Sequence, residues 1–376
     1  MLLLAAVLRP LPLAAQGLTP PEIAARSWFL LDVTSGQALA EHQADMRVDP
    51  ASLTKLMTAY LTFTAIRNGR LALDARPPVS DKAYRAIGSR MFVDPRQPAS
   101  IEELLNGMIV QSGNDASIIL AEAAAGTEQA FVERMNREAQ RMGLANTSFA
   151  NSTGLPDPQH YASARDMAVL AANLIRDFPD FYQLYSKKSY TYNNIRQENR
   201  NRLLFVDPTV DGVKTGHTEA AGYCLIASSQ REQAGADFKR RLVSVVMGAA
   251  SASARAIESQ KLLTWGFQNT DAVRVYDARQ PVGRYSVWKG AADTVGGGLT
   301  EPLFVTVPRG RTDGVRAEIE RLEPLVAPVS KDQRIGTLRV RIGSQVAAER
   351  PLVALESVQP AGLLKRSWDT IQLWFK

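Results

Sequence analysis

The 376-residue sequence contains one cysteine, Cys224, so no intramolecular disulfide can form and no Cys-x-x-Cys metal motif exists. Its three histidines, His42, His160 and His217, share no helical spacing, which argues against a dedicated zinc site. Neither a Gly-x-Gly-x-x-Gly nor a Walker pattern occurs, so no cofactor is expected. Long apolar runs are missing as well. The longest, residues 1–8, falls far short of the roughly 20 residues that a membrane-crossing helix needs. There is no basic stripe either. Forty-four Lys and Arg against 38 Asp and Glu leave a net charge of +6 and a pI near 9.4, but the two signs are well mixed. The densest basic cluster, Lys239-Arg240-Arg241, reads as part of a solvated loop, and nucleic acid is not an expected partner.

What is present is an ordinary globular composition, 45% apolar and 22% charged, at a length suited to two or three domains. Residues 1–16 join the apolar run to Leu11, Leu13, Ala14 and Ala15 and read as a secretory signal peptide. The segment lacks a basic start, and Arg9-Pro10 interrupts it. Across residues 17–270, Ala-, Leu- and Met-rich helical stretches alternate with short β-rich ones, which predicts an α+β domain with a helical cluster against an antiparallel sheet. Residues 271–358 read as a small all-β sandwich, with strands at 303–307 and 338–342. Residues 359–376 hold an amphipathic helix. Leu364, Trp368, Ile371 and Phe375 share one stripe, with Trp374 beside it, while Lys365, Arg366, Asp369 and Gln372 lie elsewhere. Such a helix suits an anionic membrane surface.

The chemistry concentrates in three short segments. Ser52-Leu53-Thr54-Lys55 follows Asp49-Pro50, a capping residue and a proline that open a helix, so the hydroxyl and the amine fall on one face. A serine needs a neighbouring base to become a nucleophile, and Lys55 can serve once its pKa is lowered. A second Ser-x-x-Lys, Ser286 to Lys289, alternates like a strand and would point its two side chains apart. Ser112-Gly113-Asn114 interrupts a helical run that starts at a Ser100/Glu103 capping box and resumes up to Gly126. Lys214-Thr215-Gly216 follows an Asp211-Gly212 turn and begins an edge strand. There Lys214 adds a second cation, and Gly216 leaves room for a substrate strand.

These segments, in this order, resemble the penicillin-recognising active-site serine family, and the chain is similar to low-molecular-mass penicillin-binding proteins, D-alanyl-D-alanine carboxypeptidases with an added β-domain and a C-terminal membrane helix. Stretches 163–167, 210–218, 221–223 and 261–267 extend the likeness. The resemblance implies removal of the terminal D-Ala from peptidoglycan pentapeptide stems, inhibition by β-lactams, and a place at the periplasmic face of the bacterial inner membrane. It implies Ser52 as nucleophile and Lys55 as base, with Ser112 and Lys214 relaying a proton to the leaving amine. The backbone N–H groups of Ser52 and His217 would hold the oxyanion. Asn114 would bind the acyl-side amide, and Thr215, Arg200 and Arg255 the terminal carboxylate.

His160 reads as a loop residue, Asp166 as a cap for a helix near Met167, and Cys224 as buried and unreactive. The charged segment 231–240 reads as a surface loop between two strands. The other activities to weigh are endopeptidase action on cross-links, a serine β-lactamase and a non-catalytic wall-binding scaffold. The lactamase lacks a glutamate in residues 151–165, and the scaffold predicts lost catalytic residues where none is lost.

Overall fold

The computed structural model describes residues 18–311 and 314–374. The signal-peptide segment and Phe375 lie outside them. The chain divides into two compact units. Of the described residues, one unit holds 18–33 together with Ala38–Gln268, and the other holds Thr34–Gln37 with those from Asn269 to Trp374.

In the larger unit, strands β1 (Ser27–Asp32) and β2 (Gln37–His42) precede a 3-10 turn, Ala51–Thr54, that runs into helix α1 (Lys55–Arg67). Next come α2 (Asp81–Tyr84), α3 (Ile101–Val110), α4 (Asn114–Ala125), α5 (Glu128–Met142), α6 (Ala164–Asp177) and α7 (Pro179–Tyr182). A hairpin of β3 (Ser189–Tyr192) and β4 (Ile195–Glu198) and the short α8 (Leu203–Val206) lead to β5 (Val210–Thr218), β6 (Gly222–Glu232), β7 (Lys239–Ala249) and α9 (Ala252–Asn269). The five-stranded sheet has the order β2-β1-β7-β6-β5, antiparallel from β1 through β5, so β5 is an edge. Helix α1 carries Leu56, Met57, Tyr60 and Phe63 at 0–4% exposure and lies in the middle of the apolar core, as a helix that is apolar on most sides must.

The capping box at Ser100 and Glu103 is present, and α4 ends at Gly126 with φ +84°. Other local expectations are corrected. Pro50, not Asp49, precedes the serine turn, and no side chain caps it; the α-helix itself begins only at Lys55. Ser163 caps α6, while Asp166 accepts from Asn146 N and Thr147 Oγ1 and so ties a loop to that helix.

The charged segment 231–240 also differs from expectation. Strands β6 and β7 extend into it from both sides and leave only residues 233–238 between them. Arg240 is 1% exposed and donates from Nε to Asp32 Oδ2 at 2.8 Å, and Arg241 pairs with Asp211 at 2.7 Å. Cover on both faces decides this. Strand β7 is buried continuously from Leu242 to Met247, and the adjacent Arg240 and Arg241 turn to opposite faces, over Phe267 and Tyr182, where an arginine must find a carboxylate.

The smaller unit is all-β apart from its last helix. Strands β8 (Thr270–Tyr276) and β11 (Leu303–Pro308) pair with each other. The remaining strands, β9 (Gly283–Ser286), β10 (Thr294–Gly298), β12 (Val315–Arg321), β13 (Arg334–Ile342) and β14 (Gln345–Ala354), form a sheet of order β12-β13-β14-β10-β9. Its apolar faces enclose Val295, Val305, Leu338 and Leu352, all at 0% exposure. In the second Ser-x-x-Lys, Ser286 ends β9 and Lys289 sits at φ +58°, so no helical turn joins them. Helix α10 (Leu363–Trp374) closes the unit. Its Asp369 carboxylate accepts from Lys289 N at 2.5 Å, and Lys365 pairs with Asp293.

Removing one partner of the buried Asp32–Arg240 pair leaves an uncompensated interior charge. Asp32→Ala is expected to destabilise the larger unit by about 3–5 kcal/mol, read from the midpoint of denaturant unfolding.

Candidate active site

The serine turn is unusual at its first residue. Ala51 adopts φ +47°, a left-handed conformation that costs a non-glycine residue of order 1 kcal/mol or more and persists only where the surroundings enforce it. In the 3-10 turn that follows, residues three apart eclipse each other, which sets Ser52 directly against Lys55. The distance from Lys55 Nζ to Ser52 Oγ is 3.0 Å. Ser52 is partly open to solvent, whereas Lys55 is 1% exposed.

Lys55 Nζ has two further partners, Asn114 Oδ1 at 2.7 Å and Thr153 O at 2.6 Å. Three acceptors around an ammonium use all three of its hydrogens. A neutral amine keeps two, and with those on Asn114 and Thr153 its lone pair faces Ser52 Oγ. Burial, reinforced by the Arg200 charge and opposed by Asp115, lowers the Lys55 pKa to about 7. The amine is therefore available near neutrality, aimed at the hydroxyl it would deprotonate.

The second segment closes one side. Ser112 joins α3 to α4 at φ +70°, is 2% exposed, and its Oγ has no hydrogen-bond partner among the described residues. Asn114, at the start of α4, donates one amide hydrogen to Ile87 O at 2.6 Å and accepts from Lys55 Nζ on Oδ1, which leaves one N–H for a ligand. Asp115 accepts from the backbone N–H groups of Met91, Phe92 and Val93, which fastens the neighbouring segment to α4.

The third segment lies on β5, the edge strand, so one rim of the cleft is a free strand edge of the kind that receives an extended peptide. Lys214 is 3% exposed, with Nζ donating to Thr215 O at 3.1 Å. Its pKa falls well below the usual lysine range, first through burial and then through the charges of Lys55, Arg200 and Arg255. Gly216 has a different reason from the one expected. A Cβ there would lie 3.1 Å from Pro50 O and 3.2 Å from Ser52 N, so the missing side chain makes room for the serine turn itself. The His217 ring is exposed and packs on Tyr223 with centroids 4.0 Å apart.

Both candidate arginines line the cleft, in unlike states. Arg200 reaches across to Ser89 Oγ at 2.7 Å. Arg255 is 6% exposed and its Nη1 donates to Gly216 O and Cys224 O at 2.9 and 3.4 Å, so part of its donor set already braces β5 and β6. Cys224 is buried as expected, and its thiol is pushed up to about 11. The cleft, about 460 Å³, brings together Ser52, Ser112, Asn114, Thr215, Gly216, His217, Arg200 and Arg255, with the buried Lys55 bonded to its Ser52 and the buried Lys214 bonded to its Thr215. Among the described residues no cluster of metal-ligating side chains occurs.

The sequence reading missed the segment opposite β5. Asn151 Oδ1 accepts from the N–H groups of Thr153, Gly154 and Leu155, which curls that segment so that the Thr153 carbonyl meets Lys55. The Glu128 carboxylate holds Ser152 through N (2.8 Å) and Oγ (2.5 Å). No motif marks a backbone carbonyl, which any residue can supply; only the asparagine and glycine of a turn signal hint at the curl.

Comparison with known proteins places this geometry. The family described as D-alanyl-D-alanine carboxypeptidase matches residues 14–251, and the family described as penicillin-binding protein 5, C-terminal domain, matches residues 271–360. The chain is 39% identical over 366 residues to D-alanyl-D-alanine carboxypeptidase DacA of Haemophilus influenzae, covering 96% of this chain and 92% of that protein. Among solved structures, penicillin binding protein 5 from Haemophilus influenzae superposes with a TM-score of 0.84 at 39% identity, over 91% of this chain and 100% of that one. Penicillin-binding protein D2 of Listeria monocytogenes, solved in an ampicillin-bound form, aligns with a TM-score of 0.60 at 29% identity, over 66% of this chain and 100% of that one.

Gly154 is the tightest point of the site. It sits at φ +84°, and a Cβ there would come within 1.8 Å of Ala51 O. Gly154→Ala is expected to cost about 3 kcal/mol or more of stability, seen as a lowered unfolding midpoint, because the obstacle is backbone that cannot swing aside.

Proposed function

This chain belongs to the D-alanyl-D-alanine carboxypeptidase family, and from that premise we propose how its own residues remove the terminal D-Ala of a peptidoglycan pentapeptide stem. The observation that carries the reading is the buried Lys55 Nζ, 3.0 Å from Ser52 Oγ with its other two acceptors already satisfied.

Ser52 Oγ attacks the carbonyl of the D-Ala-D-Ala bond while its proton passes to the Lys55 amine. The oxyanion is held by the N–H groups of Ser52 and His217, which lie on the two facing backbones that Gly216 lets approach. The leaving D-Ala nitrogen takes, through Ser112, the proton that Lys55 took from Ser52; the Ser112 hydroxyl is buried, has no partner among the described residues and lines the cleft, and Lys214 lies buried next to cleft-lining Thr215. The bond to D-Ala breaks and an ester on Ser52 remains. Water then attacks that ester, the proton it gives up returns through Lys55, and Ser52 is regenerated. Asn114 meets the acyl-side amide with its remaining N–H. Thr215 and the cations Arg200 and Arg255, all lining the cleft, receive the terminal carboxylate. A β-lactam presents the same carbonyl and acylates the same serine.

The chain's two ends carry the proposed location. Helix α10 presents Leu364, Trp368 and Ile371 to solvent at 91, 62 and 49% exposure, while Asp369 and Lys365 on another face hold it to the smaller unit. A helix held by its polar side with its apolar side open suits shallow insertion into an anionic membrane surface. No helix among the described residues is long and apolar enough to cross a membrane. Together with the signal peptide expected from residues 1–16, this supports a place on the periplasmic face of the inner membrane, where the polymeric substrate lies.

Fluorescent penicillin is expected to label the protein stably and Ser52→Ala not at all; absence of labelling on folded wild-type protein would overturn the acyl-serine reading. The reactive form of Lys55 is the free amine. The acylation rate should therefore fall as pH drops through about 7 and level off above it, and Lys55→Arg should abolish it. Removing residues 361–376 should shift the protein from the membrane to the soluble fraction with D-Ala release unchanged. Persistent membrane association of that truncated form would sink the anchor.

A further inference from the structure

His160 lies at the far end of the segment that carries Thr153, and its imidazole is 3% exposed. Its Nδ1 accepts from Ala150 N at 3.2 Å, so the ring proton of the neutral form sits on Nε2. Nε2 lies 2.8 Å from Thr54 Oγ1, to which it donates. Thr54 is fully buried and stands inside the turn between Ser52 and Lys55. The ring meets Phe149 edge-on, with centroids 5.8 Å apart and planes at 82°, which stops it from rotating away.

One side chain therefore bridges two backbones. On one side is the turn that carries nucleophile and base. On the other is the segment whose Thr153 carbonyl takes a hydrogen of Lys55 Nζ. The two backbones touch at Gly154 and Ala51, where no slack exists to absorb a shift. Burial keeps the ring neutral by lowering its pKa to about 4, which preserves Nδ1 as an acceptor and Nε2 as a donor at any pH where Lys55 is reactive.

We infer that His160 is a positioning residue for acylation, acting through its hydrogen bond to Thr54 to hold the Ser52–Lys55 turn in register with the Thr153 carbonyl. It touches neither substrate nor reacting atoms. The inference rests on the acyl-serine reading above, and wild-type acylation in the same experiment separates the two: if wild-type protein is not acylated, that reading fails, not this one.

The test measures the acylation rate constant and the dissociation constant of the preceding non-covalent complex with a chromogenic β-lactam. The proteins compared are wild type, His160→Ala, His160→Gln, Thr54→Val and the His160→Ala/Thr54→Val double variant, with unfolding midpoints measured alongside. A displacement of about 1 Å in reacting groups costs on the order of a hundredfold in rate. His160→Ala and Thr54→Val should each slow acylation about ten- to a hundredfold, with the dissociation constant changed less than about threefold. The double variant should be no slower than the slower single one, because both remove the same bond. His160→Gln, whose amide can both donate and accept, should recover most of the rate. Should His160→Ala fail to fold, Thr54→Val and His160→Gln still decide the matter. Full-rate acylation in either alanine or valine variant, additive losses in the double variant, or a glutamine variant as slow as alanine at an unchanged midpoint would overturn the inference.

Discussion

A single ammonium-or-amine nitrogen organises the larger unit. Lys55 Nζ is withdrawn from water and given three oxygen neighbours from three separate parts of the chain: its own turn, the start of α4 and the Thr153 segment. Burying a lysine is costly unless its hydrogens are all accepted, so each of those parts must be in place before the others are worth holding. The same burial lowers the pKa toward neutrality and makes a structural liability a candidate base. Lys214 is buried too, and its pKa is lowered first by that burial and then by the charge of Lys55.

The scaffold serves that nitrogen by close backbone approach. Gly216 lets the edge strand lie against Pro50 and Ser52, and Gly154 lets the opposite segment lie against Ala51. Ala51 and Ser112, both non-glycine residues at positive φ, show where the backbone is held out of its relaxed conformation, and both adjoin groups in the cleft. The sheet behind the site is tied by internal charges instead of apolar contacts alone. Asp32 with Arg240 spans β1 and β7, and Asp211 with Arg241 spans β5 and β7. Asp211 stands three residues before Lys214, so the second pair anchors the strand that presents the third candidate segment.

Local patterns carried much of this from the start. The capping box at Ser100, the Gly126 stop and the period-two strand of the smaller unit all depend on neighbours within a few residues, and they formed as read. Two features that failed share one cause. Asp166 does not cap and Arg240 is not solvated, because in each case a partner far along the chain offered a better-satisfied arrangement, while Asp49 gives way to Pro50 at the start of the serine turn. The apolar stripe on α10 was legible from its spacing, whereas the face by which that helix docks, through Asp369 on Lys289 N, was not.

By itself the sequence located the candidate reacting groups. Ser52 and Lys55 sit three residues apart on a tight turn, Ser112 and Asn114 flank a helix break, and Lys214 with Thr215 occupies an edge strand, all of which follow from short-range geometry. Tertiary structure alone decided what surrounds those groups: the depth of Lys55, the carbonyl of Thr153, the grip of Glu128 on Ser152 and the bridge from His160 to Thr54. The physical reason is that desolvation and hydrogen-bond satisfaction belong to the place a side chain occupies after folding. A backbone carbonyl has the same chemistry in every residue until the fold aims it.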